Sequence, residues 1–311
     1  MATDVLFTGT VKALSGLSKV KRAITSYLLQ KSQERELQTY LNSDRHPWLP
    51  GYERYKMQYI QEVLHNPAIL DAFKARRALP SGYGFRIDAR AVEIPWTLAH
   101  LSGTSGAVLD AGSSLNFQVV LDVPSLSQVQ LTILTLAPEK NCFWRMGISY
   151  VFGDLRRTVF RDEIFDSVVC ISTIEHVGMD NRLYAGDAQS AQRGSSSEFL
   201  LAIGEFKRLL KPGGSLYITF PFGRYEDHGW FQQFDAALMD TLIGGFSPTQ
   251  ITEAIYQYLP TGWELSDRTT CAQCEFFDVR TSKYFNPSST IEYPSDYPAA
   301  ERAVACLRLV K

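Results

Sequence analysis

The sequence predicts an α/β fold: a doubly wound, mostly parallel sheet of seven strands, preceded by an N-terminal helical cap. Three observations lead there. From Val108 onward, short runs of apolar and β-branched residues alternate with helical periodicity, which is the layout of a parallel sheet. Val108-Leu109-Asp110-Ala111-Gly112 reads as a buried strand that ends in an acid and a glycine turn, the way such a sheet opens a ligand crevice at its carboxyl edge. Before it, apolar residues recur at helical intervals, so the chain divides into a helical region over residues 1–100 and a sheet domain over 101–311.

Each element has a local reason. Val11, Leu14, Leu17, Val20, Ile24, Leu28 and Leu29 form one apolar stripe of a helix ending near Gln33, with Lys12, Lys19, Lys21, Arg22 and Lys31 on its solvated side. His46 to Gly51 breaks the pattern with two prolines and a glycine. Helical periodicity returns from Tyr52 to Phe73, divided at Asn66-Pro67, and a short helix from Ile94 to Leu101 leads into the opening strand. Strands follow at Gln130 to Leu136, Ile148 to Phe152 and Phe165 to Ser172, the last apolar enough to be buried on both faces. Gly186 to Ser197 is small and polar, a surface loop or lid. Ser197 caps a helix from Glu198 to Leu210, which Lys211-Pro212-Gly213-Gly214 stops before a strand from Ser215 to Pro221. A polar and aromatic loop over Phe222 to Phe234 precedes helices at Asp235 to Ile243 and Thr249 to Tyr258. Glu264 to Thr270 and Ala303 to Val310 complete the strands, with an irregular insertion between Asp278 and Pro298.

Composition narrows the class of function. With 45% hydrophobic and 21% charged residues the chain is an ordinary globular protein, and a net charge of −2 gives no field for non-specific nucleic-acid binding. No basic start followed by an apolar run opens the chain and no apolar segment is long enough to span a bilayer, so a soluble, cytoplasmic protein is expected, its oligomeric state left open. Five scattered cysteines fit reduced thiols. Cys271-Ala272-Gln273-Cys274 has knuckle spacing, yet no second pair completes a tetrahedral site, so no metal is expected.

Three segments in order carry a resemblance: Val108 to Asn116, Phe165-Asp166 through Ile174-Glu175-His176-Val177-Gly178, and Arg208-Leu209-Leu210-Lys211-Pro212-Gly213-Gly214-Ser215-Leu216. Together they resemble the class I S-adenosylmethionine-dependent methyltransferases, whose fold is Rossmann-like, and the pattern around Tyr83-Gly84, Val92-Glu93-Ile94-Pro95-Trp96, Asp110 to Asn116 and Glu175 to Asn181 resembles a bacterial subgroup associated with polysaccharide or other secondary biosynthesis. The resemblance implies S-adenosyl-L-methionine as cofactor, with Asp110, Gly112, Ser113, Ser114 and Asn116 around its methionine half. Thr135 and Leu136 fall at the ribose position, Asp154 and Leu155 at the adenine, and Ser172 and Glu175 at the end of the fourth strand. The chain departs from the family pattern at Ser114 and Asn116, where glycines are usual, and at Thr135, where an acid usually holds both ribose hydroxyls. Glu139 is near enough in sequence to supply that acid.

Methyl transfer to a hydroxyl needs positioning and a base. His176 and His228, the latter beside Asp227, follow the fourth and fifth strands at the carboxyl edge and are the catalytic residues expected. The resemblance implies O-methylation of a sugar, glycan or small-molecule hydroxyl, with no nucleic-acid partner. A methyltransferase-like fold that has lost transfer and serves as a binding or scaffold subunit stays open, because the glycine and ribose-acid positions are both altered.

Overall fold

A computed structural model describes residues 25, 28–187, 191–283, 286–296 and 300–311. These fall into two compact units divided between Lys56 and Met57. Most of the helix expected from Val11 to Gln33 lies outside the described residues; within the first unit a helix, α1, runs over residues 28–42.

Helix α2, Tyr52–Leu64, crosses from the first unit into the second, where α3, Pro67–Lys74, follows directly. Asn66 starts α3 because its side chain accepts from the Ala68 and Ile69 N–H groups while Pro67 occupies the first turn. Helix α4, Arg90–Leu101, begins a turn earlier than its sequence suggests. Pro95 lies inside it rather than near its start, which frees the carbonyl of Ala91 from its helical partner. The buried Tyr83 hydroxyl donates to that carbonyl at 2.5 Å, so the irregularity is satisfied within the core.

The sheet domain runs β1 Gly106–Ala111, α5 Gln118–Leu121, β2 Val129–Thr135, β3 Ser149–Phe152, β4 Phe165–Ile171, α6 Arg182–Ala185, α7 Phe199–Leu209 and β5 Leu210–Pro221. A two-stranded hairpin, β6 Glu226–Asp227 and β7 Gln232–Gln233, precedes α8 Ala236–Phe246. Strand β8 Gln250–Leu259, β9 Gly262–Ser266, the one-turn α9 Arg268–Cys271 and β10 Ala303–Val310 complete the chain. The main sheet has eight strands in the order β3-β2-β1-β4-β5-β10-β8-β9. The five from β3 to β5 are parallel, and β10, β8 and β9 extend the sheet antiparallel.

The eighth strand corrects the expectation of seven. Thr249 to Tyr258 reads as helical, but β8 pairs along its length with both β10 and β9. Its β-branched and aromatic residues follow period two: Ala254, Tyr256 and Tyr258 join one core layer while Ile255 joins the other. The strand expected over Glu264 to Thr270 accordingly stops at Ser266, and Asp267 caps α9 by accepting from Thr270 N–H. Ser197 is not the cap of α7, which starts behind Glu198 without a side-chain cap; the Ser197 hydroxyl pairs with Ser195 instead.

Alternate residues of each strand feed two apolar layers, which makes the sheet doubly wound. Val108, Leu131, Ile133, Val169 and Ile171 face α3 and α4, whereas Leu109, Leu134, Val168, Cys170 and Ile218 face α7 and α8. At the amino edge Asp166 joins β4 to its neighbours, accepting from Ala107 N–H and from Lys211, both at 2.8 Å. That contact places the Phe165-Asp166 and Lys211-Pro212 motifs against each other. Among the described residues no helix is long and apolar enough to cross a membrane.

Candidate active site

A crevice of about 590 Å³ opens at the carboxyl ends of β1 to β4. Its walls are the segments 112–117, 134–141, 153–156 and 172–178, with Arg90 of α4, Asn181 and Tyr184 added. Of the expected residues, Gly112, Ser113, Ser114, Asn116, Thr135, Leu136, Asp154, Leu155, Ser172 and His176 line it. Asp110 and Glu175 are buried behind it, and His228 and Asp227 are not among its walls.

The turn after β1 explains the altered glycine loop. Gly112 has φ +122° and its N–H donates to the Leu134 carbonyl at 2.8 Å; a Cβ there would lie 2.1 Å from Thr173 Oγ1. Asp110 accepts from Ser114 N–H at 3.2 Å and Leu115 N–H at 2.8 Å, closing the turn with its own carboxyl. Burial pushes the Asp110 pKa up to about 7 despite those two donors. The Ser114 hydroxyl donates to Ile171 O at 2.7 Å and so binds the turn to β4.

Asn116 spans to the next wall. Its Oδ1 accepts from Tyr150 Oη at 2.8 Å and its Nδ2 donates to Asn141 O at 3.0 Å, while Tyr150 Oη also accepts from Phe143 N–H. Ser114 and Asn116 thus act as struts, holding with side chains a loop that glycines would shape by backbone freedom alone. Ser113 differs from both. Its φ is +64°, and its buried hydroxyl has no hydrogen-bond partner among the described residues although it lines the crevice.

At the far end, Thr135 closes β2 and Leu136 and Glu139 follow it, and Asp154 and Leu155 follow β3. Arg156 grips Asp154 through Nε at 3.0 Å to each carboxylate oxygen and also pairs with Glu198.

The near end is organised by Glu93 of α4, which is 1% exposed. Its Oε1 accepts from the hydroxyls of Ser172 and Thr219, the latter at 2.7 Å, and its Oε2 from Arg90 Nη1 at 2.8 Å. The fixed Ser172, with φ +37°, turns the chain toward His176. His176 Nδ1 lies 2.9 Å from the Trp230 carbonyl, which can only accept, so Nδ1 carries the proton and Nε2 is left as an acceptor. Burial lowers the His176 pKa to about 4, so near pH 7 the imidazole is neutral, and burial raises that of Glu175 well above the usual carboxylate range. Tyr184 packs edge-on against the ring at 5.4 Å.

His228 lies on the β6–β7 hairpin, stacked on Phe231 at 4.4 Å, with Nε2 buried and 3.7 Å from Glu226. Burial lowers its pKa. Asp227 does not orient it; its carboxylate pairs with Arg193 and accepts from Gly229 N–H. Among the described residues no group of three or more His, Cys, Asp and Glu comes together as a metal site.

Arg90, Thr173, Asn181 and Tyr184 line the crevice without having stood out in the sequence. For Arg90 a signal existed: Arg90 and Glu93 are three residues apart, on one face of a helix. Reading the helix as starting at Ile94 hid it.

The segment from the approach to β2 through the first half of β5 decides the comparison. Residues 124–218 match a methyltransferase domain family. No curated protein sequence matches the chain at a significant level. Among solved structures, a Burkholderia thailandensis 1,6-didemethyltoxoflavin N1-methyltransferase with bound S-adenosylhomocysteine is similar at 12% identity and TM-score 0.43, covering 80% of this chain and 88% of that one. The [4+2]-cyclase SpnF is similar at 18% identity and TM-score 0.42, covering 82% and 96%. The N-methyltransferase NodS of Bradyrhizobium japonicum, solved with S-adenosylhomocysteine, is similar at 13% and 0.37, covering 90% and 97%. These are resemblances of outline; the chemistry of the crevice is this chain's own.

Proposed function

We propose that the chain is an S-adenosylmethionine-dependent methyltransferase that methylates a hydroxyl of a sugar or another small molecule. The observation that carries the reading is the crevice at the carboxyl ends of β1 to β4, which lies largely within the segment similar to a methyltransferase domain and ends at the unprotonated Nε2 of His176.

The residues suit the cofactor. A volume of about 590 Å³ is within the range of small-molecule sites. The partnerless Ser113 hydroxyl is a polar group inside the wall that a ligand atom would satisfy. Thr135, Leu136, Asp154 and Leu155 would hold the adenosine half, and Ser113, Thr173 and Arg90 the methionine half. When bound, S-adenosylmethionine supplies an electrophilic methyl group on a sulfonium.

The protein's part is to bring the acceptor in line and to take its proton. His176 Nε2 is the proton acceptor of this proposal, held in one tautomer by the Trp230 carbonyl. At this end of the crevice Glu93 is fully paired and Glu175 is buried outside the lining, so neither offers a free carboxylate to an ammonium group; that favours a neutral acceptor. Tyr184, half exposed at the mouth, and Asn181 give such an acceptor an aromatic face and a neutral polar edge.

His176→Gln tests the assignment. S-adenosylhomocysteine binding, measured by calorimetry, stays within a few-fold of wild type, while turnover with a hydroxyl acceptor falls about 10²-fold. His176 titrates near 4, so its ionisation sets an acid limb of the pH–rate profile near pH 4 and adds no step of its own between pH 6 and 8. Equal loss of binding and turnover would contradict the role given to His176.

A further inference from the structure

We propose that Arg90 is the carboxylate-binding residue of the crevice and takes the amino-acid carboxylate of the cofactor. This rests on the reading of the crevice as an S-adenosylmethionine site.

Arg90 opens α4 and lines the crevice at its β1 and β4 end. It is held from behind. Glu93 is anchored by the Ser172 and Thr219 hydroxyls and accepts from Arg90 Nη1, so the guanidinium is fixed by a carboxylate that cannot itself move away. A guanidinium has five N–H donors in a rigid fork, and Glu93 is the only side chain that takes one among the described residues. The remaining donors suit a second, incoming carboxylate.

Most N–H groups of the β1 turn are already committed, which leaves that of Ser113 as the backbone donor beside Arg90. The N–H groups of Ser114 and Leu115 are used by Asp110, and that of Gly112 by Leu134. Of the other cations on the walls, Arg156 is committed to Asp154 and Glu198, and Lys140 is exposed to solvent on the loop after β2. Burial disfavours the charged form of the acids nearby, raising Glu175 well above the usual carboxylate range and Asp110 to about 7, which weakens their repulsion of an anion. Arg90 itself stays charged: burial opposes the charge, but Glu93 and Asp88 outweigh it and raise its pKa.

The same chemistry would serve a carboxylate on the acceptor, so the test uses two adenosyl thioethers, one with the amino-acid end and one without it. S-Adenosylhomocysteine carries the amino-acid carboxylate; 5′-methylthioadenosine lacks the whole amino-acid end. Titration calorimetry on Arg90→Gln is expected to show S-adenosylhomocysteine weakened tenfold to hundredfold, on the order of one charged hydrogen-bonded contact, with 5′-methylthioadenosine within twofold of wild type. The Arg90→Gln, Glu93→Gln double variant removes the charge that Arg90 leaves unpaired, and is expected to show the same selective loss. Unchanged S-adenosylhomocysteine affinity would overturn the proposal and assign Arg90 to the acceptor. Equal weakening of both ligands would overturn it too, as a general collapse of the site. A wild-type protein that binds neither would overturn the functional reading and this one with it.

Discussion

Glu93→Ala is expected to lower the unfolding free energy by about 3 kcal/mol, the lower part of the range for breaking a buried ion pair, because Arg90 remains partly open to water. The carboxylate holds three donors at once: Ser172, Thr219 and Arg90. Removing it strands a guanidinium and two hydroxyls next to a core in which Trp96 and Tyr256 are fully buried. For a chain of this size the loss corresponds to roughly 4–6 °C in Tm by calorimetry. The effect also reaches the crevice, since Ser172 and Arg90 both lose the group that positions them, and S-adenosylhomocysteine affinity falls with stability. A Tm within about 2 °C of wild type would show that Glu93 is not the hub described.

Gly112→Ala is the second large effect. At φ +122° a side chain is strained, and the added Cβ would meet Thr173 Oγ1 at 2.1 Å, well inside contact distance. Backbone strain of about 1–2 kcal/mol and overpacking of about 1–3 kcal/mol give an expected loss of roughly 2–5 kcal/mol. Ligand affinity drops at least tenfold, because relief of the clash moves either the β1 turn or Thr173, and both are crevice walls. Adding Thr173→Gly removes the steric part and restores a portion of the stability, leaving the backbone part. Full recovery in the double variant, or no loss in the single one, would contradict this account of the turn.

The parts of the molecule legible in the sequence are those set by local rules. Strands β1, β2, β3 and β4 fall within two residues of their expected limits, because buried parallel strands are written as apolar runs closed by turn residues. The N-terminal limits of α3 and α8 are likewise legible, since Asn66 and Asp235 announce them as caps. Strand β8 is not, because its apolar residues fit a helical stripe nearly as well as an alternation, and pairing on both edges decides between them. In the site, the walls at Gly112 and Asp154 are legible through the resemblance and that at His176 through its place after the fourth strand. The use of Ser114 and Asn116 as struts depends on Ile171, Tyr150 and Asn141, which are distant in sequence. The Arg90–Glu93 pair was obscured by Pro95, whose missing hydrogen bond is made good by Tyr83, a compensation that no local rule announces.

The most direct test of the central claim is calorimetric titration of the purified wild-type chain with S-adenosylhomocysteine. The crevice predicts saturable one-to-one binding that S-adenosylmethionine competes away and that Gly112→Ala weakens. No detectable heat at millimolar ligand would contradict the assignment and leave a methyltransferase-like fold without its cofactor.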